Sequence, residues 1–395
     1  MPAESTFLLA GLLFVAAALG YVFAKYGETE DDDELPDQLS SDYLKGLNYV
    51  LNEEPDRAVE LFTRMAELDD DALETHFALG GLFRKRGEVD RAIRVHQNLM
   101  ARPSLGQAHK DQAEHALAED YLSAGLFDRA EALFTKLAAS SEFRVKALRR
   151  LIRIYEITQE WDRAIEIYTE LERATKGSSA TEANSQLAHY YCELAEQARL
   201  EQDIVRAREM LKQADNCREP TVRSLLALAN LEADTGKHKS ALRKYQKVIK
   251  QSPDLLVDVL PQLVGIYEVL GDPKGLAAYL RKLMAEDQGH LPAIAMAAVR
   301  NPSIDHPVVM DALLQFLAAD PTLRQLIGGD RIEAAGEAER REMLGDVRGA
   351  LRTILASKPA YHCTECGYAC LALQWQCPGC RAWETVKPEI HIRLA

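Results

Sequence analysis

Four cysteines near the C-terminus have the residue type and the spacing of a metal site. They form two C-x-x-C pairs, Cys363 with Cys366 and Cys377 with Cys380. Two residues between cysteines let both sulfurs of a turn reach one ion, and two such turns supply four thiolates in a tetrahedron. That geometry is typical of structural zinc or of a mononuclear iron centre. We therefore predict one metal ion bound by these four residues, with two disulfides or unused thiols as the alternative.

Neighbouring residues are weaker candidates for the same site. His362 and Cys370 lie close in sequence, but four thiolates already complete a tetrahedral shell, so we expect neither to bind the metal. Gly367 and Gly379 are expected to form the tight turns of the two pairs, because glycine adopts backbone angles that other residues avoid.

The remaining cysteines bear on the cellular compartment. Cys192 and Cys217 fall in helical stretches, where a thiol usually behaves as a small buried apolar group, and the total of seven cysteines is odd. Unpaired thiols together with a tetrathiolate site indicate a reducing compartment.

An apolar run at residues 7–24 contains no charged side chain and is about long enough to span a bilayer as a helix. Glu4 is the only charged side chain before it, whereas a secretory signal peptide would begin with basic residues. Lys25 follows the run, and this weak bias places the C-terminal side in the cytoplasm, in agreement with the reduced thiols. We predict an uncleaved anchor at residues 1–25, with a buried core helix as the alternative.

An acidic segment at residues 26–39 separates the anchor from the rest of the chain. Its sequence from Glu28 to Asp37, ETEDDDELPD, buries little apolar surface and predicts a solvated tether. Anionic phospholipid headgroups would repel it, so we expect the following domain to stand off the membrane. A specific acidic docking motif is the alternative.

Residues 40–355 are rich in helix formers and repeat themselves. Asp-Arg-Ala occurs four times, and its alanines, Ala58, Ala92, Ala130 and Ala164, are separated by 34, 38 and 34 residues. A period of that size is the tetratricopeptide signature, in which helix pairs stack into a superhelix with a concave face that binds proteins or peptides. Weaker copies follow, and beyond His290 the pattern degenerates, although residues 345–350 resemble one last pair.

Packing explains the residues that recur in each copy. Small residues such as Gly46, Gly80 and the four alanines are expected where paired helices approach closely, and aromatic residues such as Phe62 and Phe134 fill the space between neighbouring pairs. We interpret the aspartate of each Asp-Arg-Ala as a cap at the start of the second helix.

Catalytic signatures are missing from the sequence. It contains no phosphate-binding glycine loop, no His-Glu-x-x-His and no nucleophile elbow, so we expect no enzymatic activity. The excess of 61 acidic over 47 basic side chains also argues against nucleic-acid binding. His189, Tyr190 and Tyr191 form a polar and aromatic cluster that lies either in the core or in a groove.

Two parts of the sequence resemble the lipopolysaccharide assembly protein B family of Gram-negative bacteria. They are residues 86–97, RGEVDRAIRVHQ, and the cysteine pairs with their flanks, CTECG from Cys363 and CPGCRAW from Cys377. The order of anchor, repeats and cysteine pairs extends the resemblance over the whole chain.

The resemblance implies an all-α fold with an N-terminal transmembrane helix, a tetratricopeptide-repeat superhelix and a small rubredoxin-like or zinc-ribbon-like domain at residues 358–395. It implies a single-pass inner-membrane adaptor whose repeats and metal domain face the cytoplasm. Such an adaptor promotes degradation of the lipid A deacetylase by the membrane-anchored AAA+ protease, and it gathers other lipopolysaccharide synthesis or transport proteins. Cys363, Cys366, Cys377 and Cys380 would hold one iron ion, with zinc possible.

Two departures from rubredoxin itself weaken an electron-transfer role. Only ten residues separate Cys366 from Cys377, and Arg381 replaces the glycine that usually follows the second pair. A rubredoxin-like electron-transfer protein is therefore the alternative to the adaptor. A zinc-ribbon nucleic-acid binder is a third reading, but residues 358–395 lack a basic surface.

Overall fold

The computed structural model describes residues 34–52, 54–68, 73–103, 105–175, 180–217, 221–286 and 290–390. The predicted anchor at residues 1–25 lies outside these ranges, as do residues 26–33 of the predicted tether. Among the described residues, no helix is both long enough and apolar enough to cross a membrane. The first described helix begins at Glu34, within the segment predicted as tether.

Helices joined by short turns make up most of the described chain. They are α1 (Glu34–Leu51), α2 (Pro55–Leu68), α3 (Leu73–Lys85), α4 (Val89–Met100), α5 (Gln107–Ser123), α6 (Phe127–Leu137), α7 (Arg144–Thr158), α8 (Trp161–Ala174), α9 (Ala180–Leu200), α10 (Ile204–Asn216), α11 (Val222–Asp234), α12 (His238–Gln251), α13 (Leu256–Val269), α14 (Pro273–Ala285), α15 (His290–Arg300), α16 (Pro307–Ala319), α17 (Pro321–Leu326), α18 (Gly329–Ala334) and α19 (Glu337–Leu355). A three-residue 3-10 helix, Pro253–Leu255, precedes α13. Successive helices form pairs, as the repeat period predicts: α1 with α2, α3 with α4, α5 with α6, α9 with α10, α11 with α12, and α13 with α14.

The small residues of the motif lie where the structure leaves no room for a larger side chain. Ala58, Ala92, Ala130 and Ala164 are fully buried. A Cβ atom added at Gly80 would lie 2.5 Å from the imidazole ring of His96, which is far inside van der Waals contact. The prediction of close helix approach at these positions is therefore confirmed.

The turn between the two helices of a pair requires one residue with left-handed backbone angles. Glycine supplies it in four pairs, at Gly87, Gly125, Gly236 and Gly271, with φ between +67° and +80°. Glutamine occupies the same position at Gln159 and Gln202, with φ of 61° and 62°. The backbone of these two glutamines is strained, because a Cβ atom disfavours left-handed angles.

The arginine of each Asp-Arg-Ala lies against an aromatic ring eight residues earlier. The distances from the guanidinium carbon to the ring centroid are 5.9 Å for Arg57 and Tyr49, 3.9 Å for Arg91 and Phe83, 5.7 Å for Arg129 and Tyr121, and 4.4 Å for Arg163 and Tyr155. This cation–π contact links the second helix of a pair to the end of the first helix. It gives the motif arginine a packing role that the sequence analysis did not assign.

The motif aspartates do not cap their helices. Asp90 is the second residue of α4, and the N-cap is Glu88, whose side chain makes no capping hydrogen bond. The same offset recurs at Asp128 and Asp162. The predicted capping bond is therefore wrong, although an acidic side chain in the first turn still interacts favourably with the helix dipole.

The chain beyond α14 keeps a helical core but loses the repeat pattern. Residues 337–355 form the single helix α19, in which Gly345 and Gly349 are interior positions, so the predicted last pair is wrong. Glycine marked a turn in the repeats because its φ was positive there, and neither of these two glycines has a positive φ. Helices α15, α16 and α19 instead share an apolar cluster that includes Val299, Leu313 and Leu351.

The described chain is divided into two compact units, and the division lies between Ile154 and Tyr155. The second unit contains the later repeats, helices α15 to α19 and three short strands, β1 (Tyr361–Cys363), β2 (Ala369–Cys370) and β3 (Val386–Pro388). The strands form one antiparallel sheet in the order β2-β1-β3. Residues 358–390, which contain this sheet, are called the metal domain below.

Candidate metal centre and its contacts with the repeats

The two cysteine pairs adopt the same backbone turn. In the first, the Gly367 N–H donates to the carbonyl of Cys363 at 3.0 Å, and in the second the Arg381 N–H donates to the carbonyl of Cys377 at 2.8 Å. The residue after each pair has a left-handed backbone, with φ of 73° at Gly367 and 63° at Arg381. Arg381 therefore performs the backbone role of the glycine that it replaces.

Gly379 does not have the role that the sequence predicted for it. Its φ is not positive, and a Cβ atom added there would lie 3.4 Å from Sγ of Cys366. The glycine thus leaves room for the opposite pair, and the strained turn residue is Arg381 instead.

The four cysteine sulfurs converge on one point. All Sγ atoms of Cys363, Cys366, Cys377 and Cys380 lie within 4.8 Å of one another. Across the two pairs, Cys363 is 3.7 Å from Cys380 and Cys366 is 3.6 Å from Cys377. A metal–sulfur bond of about 2.3 Å in a tetrahedron places sulfurs about 3.8 Å apart, whereas a disulfide requires about 2.05 Å. The donor set therefore fits one metal ion with four thiolate ligands.

Hydrogen bonding favours the thiolate form of Cys363, whereas the pKa of the Cys380 thiol is raised, because the Ala382 backbone contact that lowers it is outweighed by desolvation and by hydrogen bonds to the other cysteines. The Thr385 hydroxyl lies 3.3 Å from Sγ of Cys363. This contact is the main reason why the pKa of the Cys363 thiol is lowered to about 6. Cys363 and Cys377 are buried, while Cys366 and Cys380 are exposed, so one side of the cluster faces solvent.

The two weaker candidates point away from the cluster. Nδ1 of His362 faces Oε2 of Glu389 at 3.6 Å. The Cys370 thiol donates to the carbonyl of Ala372 at 3.3 Å, and burial raises its pKa. Neither belongs to the converging group that the described residues form.

One face of the metal domain packs on the repeats through Trp383. Its indole stacks on the imidazole of His189, with ring centroids 4.6 Å apart and an interplanar angle of 9°. The indole N–H donates to Oε1 of Glu156 at 3.3 Å. Trp161 and Tyr190 approach the same indole edge-on, at 6.4 and 6.1 Å.

Electrostatics at this contact depend on a neutral histidine. Burial lowers the pKa of His189 to about 3, and the nearby charge of Arg223 acts in the same direction. Nε2 of His189 is 3.7 Å from Oε1 of Glu384, whose pKa burial raises. The guanidinium of Arg223 lies 5.7 Å from the ring centroids of both Trp375 and Trp383.

A second contact holds the sheet of the metal domain against α13 and α15. Nη2 of Arg300 donates to the carbonyls of Ala360 and Glu389, each at 2.8 Å, and the guanidinium lies 5.2 Å from the Tyr361 ring. The Tyr361 hydroxyl donates to Oδ1 of Asp258. Ala360 precedes the central strand β1 and Glu389 follows β3, so Arg300 fixes the adjacent ends of these two strands to α15.

These contacts were only partly visible in the sequence. The side chains of His189 and Tyr190 are buried, as one of the two predicted alternatives states, and Trp383 of the metal domain covers them together with Trp161 and Tyr168 of the repeats. Arg300, Arg223 and Asp258 were missed. The sequence offers a signal for Arg300, which is the single arginine at the end of the apolar helix HLPAIAMAAVR.

A groove runs along the repeats of the second unit, and one residue of the metal domain, Trp375, reaches it. It has a volume of about 750 Å³, and its walls are formed by residues of α9 to α13 together with Trp375. Glu196 and Asp234 both face Arg199, at 2.7 and 3.9 Å. Asn230 accepts a hydrogen bond from the Tyr245 hydroxyl at 2.6 Å, and Gly265 leaves open space above its backbone. We call this surface the repeat groove.

Known families match both parts of the chain. The rubredoxin metal binding domain family matches residues 361–388, and tetratricopeptide repeat families match residues 75–108 and 115–179. These matches confirm helical repeats followed by a small metal-binding domain. A solved structure of pilF from Pseudomonas aeruginosa covers 55% of this chain with 15% identity and a TM-score of 0.33, which is too low to support an inference.

Curated relatives match almost the full length. Lipopolysaccharide assembly protein B of Escherichia coli strain K12 is 34% identical over 383 residues, which cover 96% of this chain and 97% of the relative. The protein of the same name from Haemophilus influenzae is 32% identical over 391 residues, which cover 96% of this chain and 98% of the relative. This chain therefore belongs to the lipopolysaccharide assembly protein B family.

Proposed function

We propose that this chain is an adaptor for lipopolysaccharide assembly at the inner membrane, and that it has no catalytic activity of its own. Residues 7–24 would span the membrane once, with the repeats and the metal domain in the cytoplasm. The observation that carries the proposal is the repeat groove, a surface built by three repeats and lined at one point by Trp375 of the metal domain. The names of the curated relatives support the connection to lipopolysaccharide.

The chemistry of the repeat groove suits recognition. Its carboxylates at Glu196 and Asp234 are paired with Arg199 and are not placed for proton transfer. Beside this charged group, apolar side chains such as Leu226 and Ile266 line the groove and offer a partner a contact surface. The groove is long enough to touch three successive helix pairs, as a partner segment would require.

Our proposal for the action of the adaptor is to bring the lipid A deacetylase to the membrane-anchored AAA+ protease. The adaptor would bind one partner and would be anchored in the membrane that holds the other. This arrangement raises the local concentration of the two partners and needs no catalytic step. Other lipopolysaccharide synthesis or transport proteins would be gathered in the same way.

The metal centre has a structural role in this proposal. One iron ion, with zinc as the other option, would be held by Cys363, Cys366, Cys377 and Cys380. Bound metal would supply folding energy to a domain whose own core is small. Metal analysis of the purified full chain distinguishes iron from zinc.

The test blocks the repeat groove without disturbing the fold. Gly265→Arg places a long charged side chain into the groove from a helical position with open space. Gly349→Arg is the matched control, because Gly349 is also an interior helix position with open space but lies outside the groove. In cells that carry only the Gly265→Arg chain, the deacetylase should persist after protein synthesis is stopped, whereas Gly349→Arg should leave its half-life unchanged.

An unchanged deacetylase half-life in cells that lack this chain altogether would refute the proposed action. A reversible one-electron step at the metal centre, together with an unchanged half-life, would favour the electron-transfer alternative. Circular dichroism of both variants establishes that they fold.

A further inference from the structure

A second cavity, separate from the repeat groove, lies between the metal domain and the last helices. Its volume is about 710 Å³, within the range of pockets that hold small ligands. Most of its walls are apolar, and they include Met296 and Val299 of α15 and Leu355 of α19. Leu371 stands at this cavity from the loop after β2 and is 70% exposed.

Positive charge is concentrated around this apolar cavity. Arg300, Arg352 and Lys358 line it, against the single carboxylate of Glu389, which His362 also faces at 3.6 Å. The chain as a whole carries a net charge of −14, so a local excess of cations is unusual for it. The cavity is therefore complementary to an anion.

Two of the cations have unused donors. Nη1 of Arg300 is buried and has no hydrogen-bond acceptor within the described part of the chain. Arg352 is exposed and forms no ion pair with any described residue. A buried guanidinium donor without an acceptor costs about 1 to 3 kcal/mol, and a bound anion near it would remove that cost.

We propose that this cavity binds a single-chain anionic amphiphile, with an alkyl chain among Met296, Val299 and Leu355 and a phosphate or carboxylate head beside Arg300 and Arg352. The side chain of Leu371 would cover part of the alkyl chain. Neither property alone is sufficient, because the apolar walls would not select an anion and the cations would not hold a hydrocarbon chain. This binding is independent of the adaptor function proposed above.

Calorimetry with octyl phosphate tests the proposal. The full-length protein is held in phosphatidylcholine nanodiscs, and the heat with empty nanodiscs is subtracted. Octyl phosphate should bind with one-to-one stoichiometry, and octanol or inorganic phosphate should bind at least tenfold more weakly. Equal binding by octanol, equal binding by inorganic phosphate, or no saturable binding of octyl phosphate would each overturn the proposal.

Matched variants locate the site. Arg352→Ala and Leu371→Ser should each weaken the binding of octyl phosphate about tenfold, since each removes roughly 1.4 kcal/mol of contact. The controls are Arg243→Ala, at another exposed arginine, and Leu200→Ser, whose leucine is 71% exposed, and they should change the affinity less than twofold.

A photo-reactive alkyl phosphate gives an independent readout. With a diazirine at the end of its chain, it should label peptides that contain Met296, Val299 or Leu355. Labelling confined to other parts of the chain, or equal losses of affinity in the control variants, would show that the amphiphile binds elsewhere.

Discussion

Replacing His189 by phenylalanine should make the second unit less sensitive to acid. The His189 side chain is 1% exposed and stacks on Trp383, and burial lowers its pKa to about 3. A histidine in the unfolded chain has a pKa of about 6.5. The folded protein therefore keeps His189 neutral over the pH range in which the unfolded chain takes up a proton.

The sign of the effect follows from these two pKa values. Because the pKa of His189 is lower in the folded state, its contribution to stability is fully present above about pH 7.5 and is lost as the pH falls. At pH 5.5, protonation of His189 in the unfolded chain lowers the free energy of unfolding by RT ln(1 + 10) relative to high pH. This is about 1.4 kcal/mol, or a factor of about ten in the folding equilibrium. Glu384, whose pKa is raised, acts in the opposite direction in both proteins.

Tryptophan fluorescence is a suitable assay, because the three tryptophans of the chain, Trp161, Trp375 and Trp383, all lie at or near the contact between the metal domain and the repeats. Urea unfolding is measured at pH 7.5 and at pH 5.5 for both proteins. Between pH 7.5 and pH 5.5, the free energy of unfolding should fall by about 1.4 kcal/mol more in the wild type than in His189→Phe. Groups that titrate identically in the two proteins cancel in the difference. Equal losses in the two proteins would refute the argument that a neutral, buried His189 holds this contact.

Three further predictions concern the metal, the repeat turns and the second contact. Cys363→Ser combined with Cys366→Ser should make the metal domain sensitive to proteases while the helical circular dichroism stays almost unchanged; a resistant metal domain would contradict a structural role for the metal. Gln202→Gly should raise the free energy of unfolding by about 1 kcal/mol, because it removes left-handed strain. The control Gln213→Gly, inside α10, should lower it by about 0.8 kcal/mol. Urea unfolding measures both changes, and two changes of the same sign would contradict the strain at Gln202. Arg300→Leu should lower the free energy of unfolding by about 3 kcal/mol and speed hydrogen exchange of the amides throughout the metal domain. Unchanged exchange would mean that the two hydrogen bonds of Arg300 do not hold the sheet.

The repeats could be predicted because their signal is local and recurs. Ala58 and Gly80 occupy positions where only a small residue fits, and the period places the same requirement in the next copy. The sequence could not distinguish the N-cap from the second helical residue, because both positions favour an acidic side chain. That is why Asp90 was expected to cap α4 and instead lies inside it.

The cysteine cluster was predictable for a different reason, since the spacing of two C-x-x-C pairs constrains the sulfurs almost by itself. The backbone around it was less predictable. Left-handed angles are usually assigned to glycine, so the sequence predicts Gly379 as a turn residue of the second pair, whereas the left-handed residue is Arg381. The hydrogen bond from the Arg381 N–H to Cys377, which repeats the bond of the first pair, determines the angle whatever the side chain is.

Contacts between the metal domain and the repeats had no local signal at all. Trp383 and His189 are far apart in sequence, and so are Arg300 and Glu389. Each of these residues has an ordinary reading by itself, as a surface tryptophan, a core histidine or a basic residue at a helix end. Only the packing of distant segments shows that they meet.

The small core of the metal domain explains why it needs both the metal and the repeats. Its own buried cluster consists of Tyr361, Cys363, Cys377 and Val386, and two of these four are predicted metal ligands. A domain with so few buried side chains buries too little apolar surface to fold alone. Metal binding and packing on the helices must then supply the remaining stability together. Because Trp375 of the same domain forms a wall of the repeat groove, the integrity of the metal centre and the shape of the groove are physically coupled.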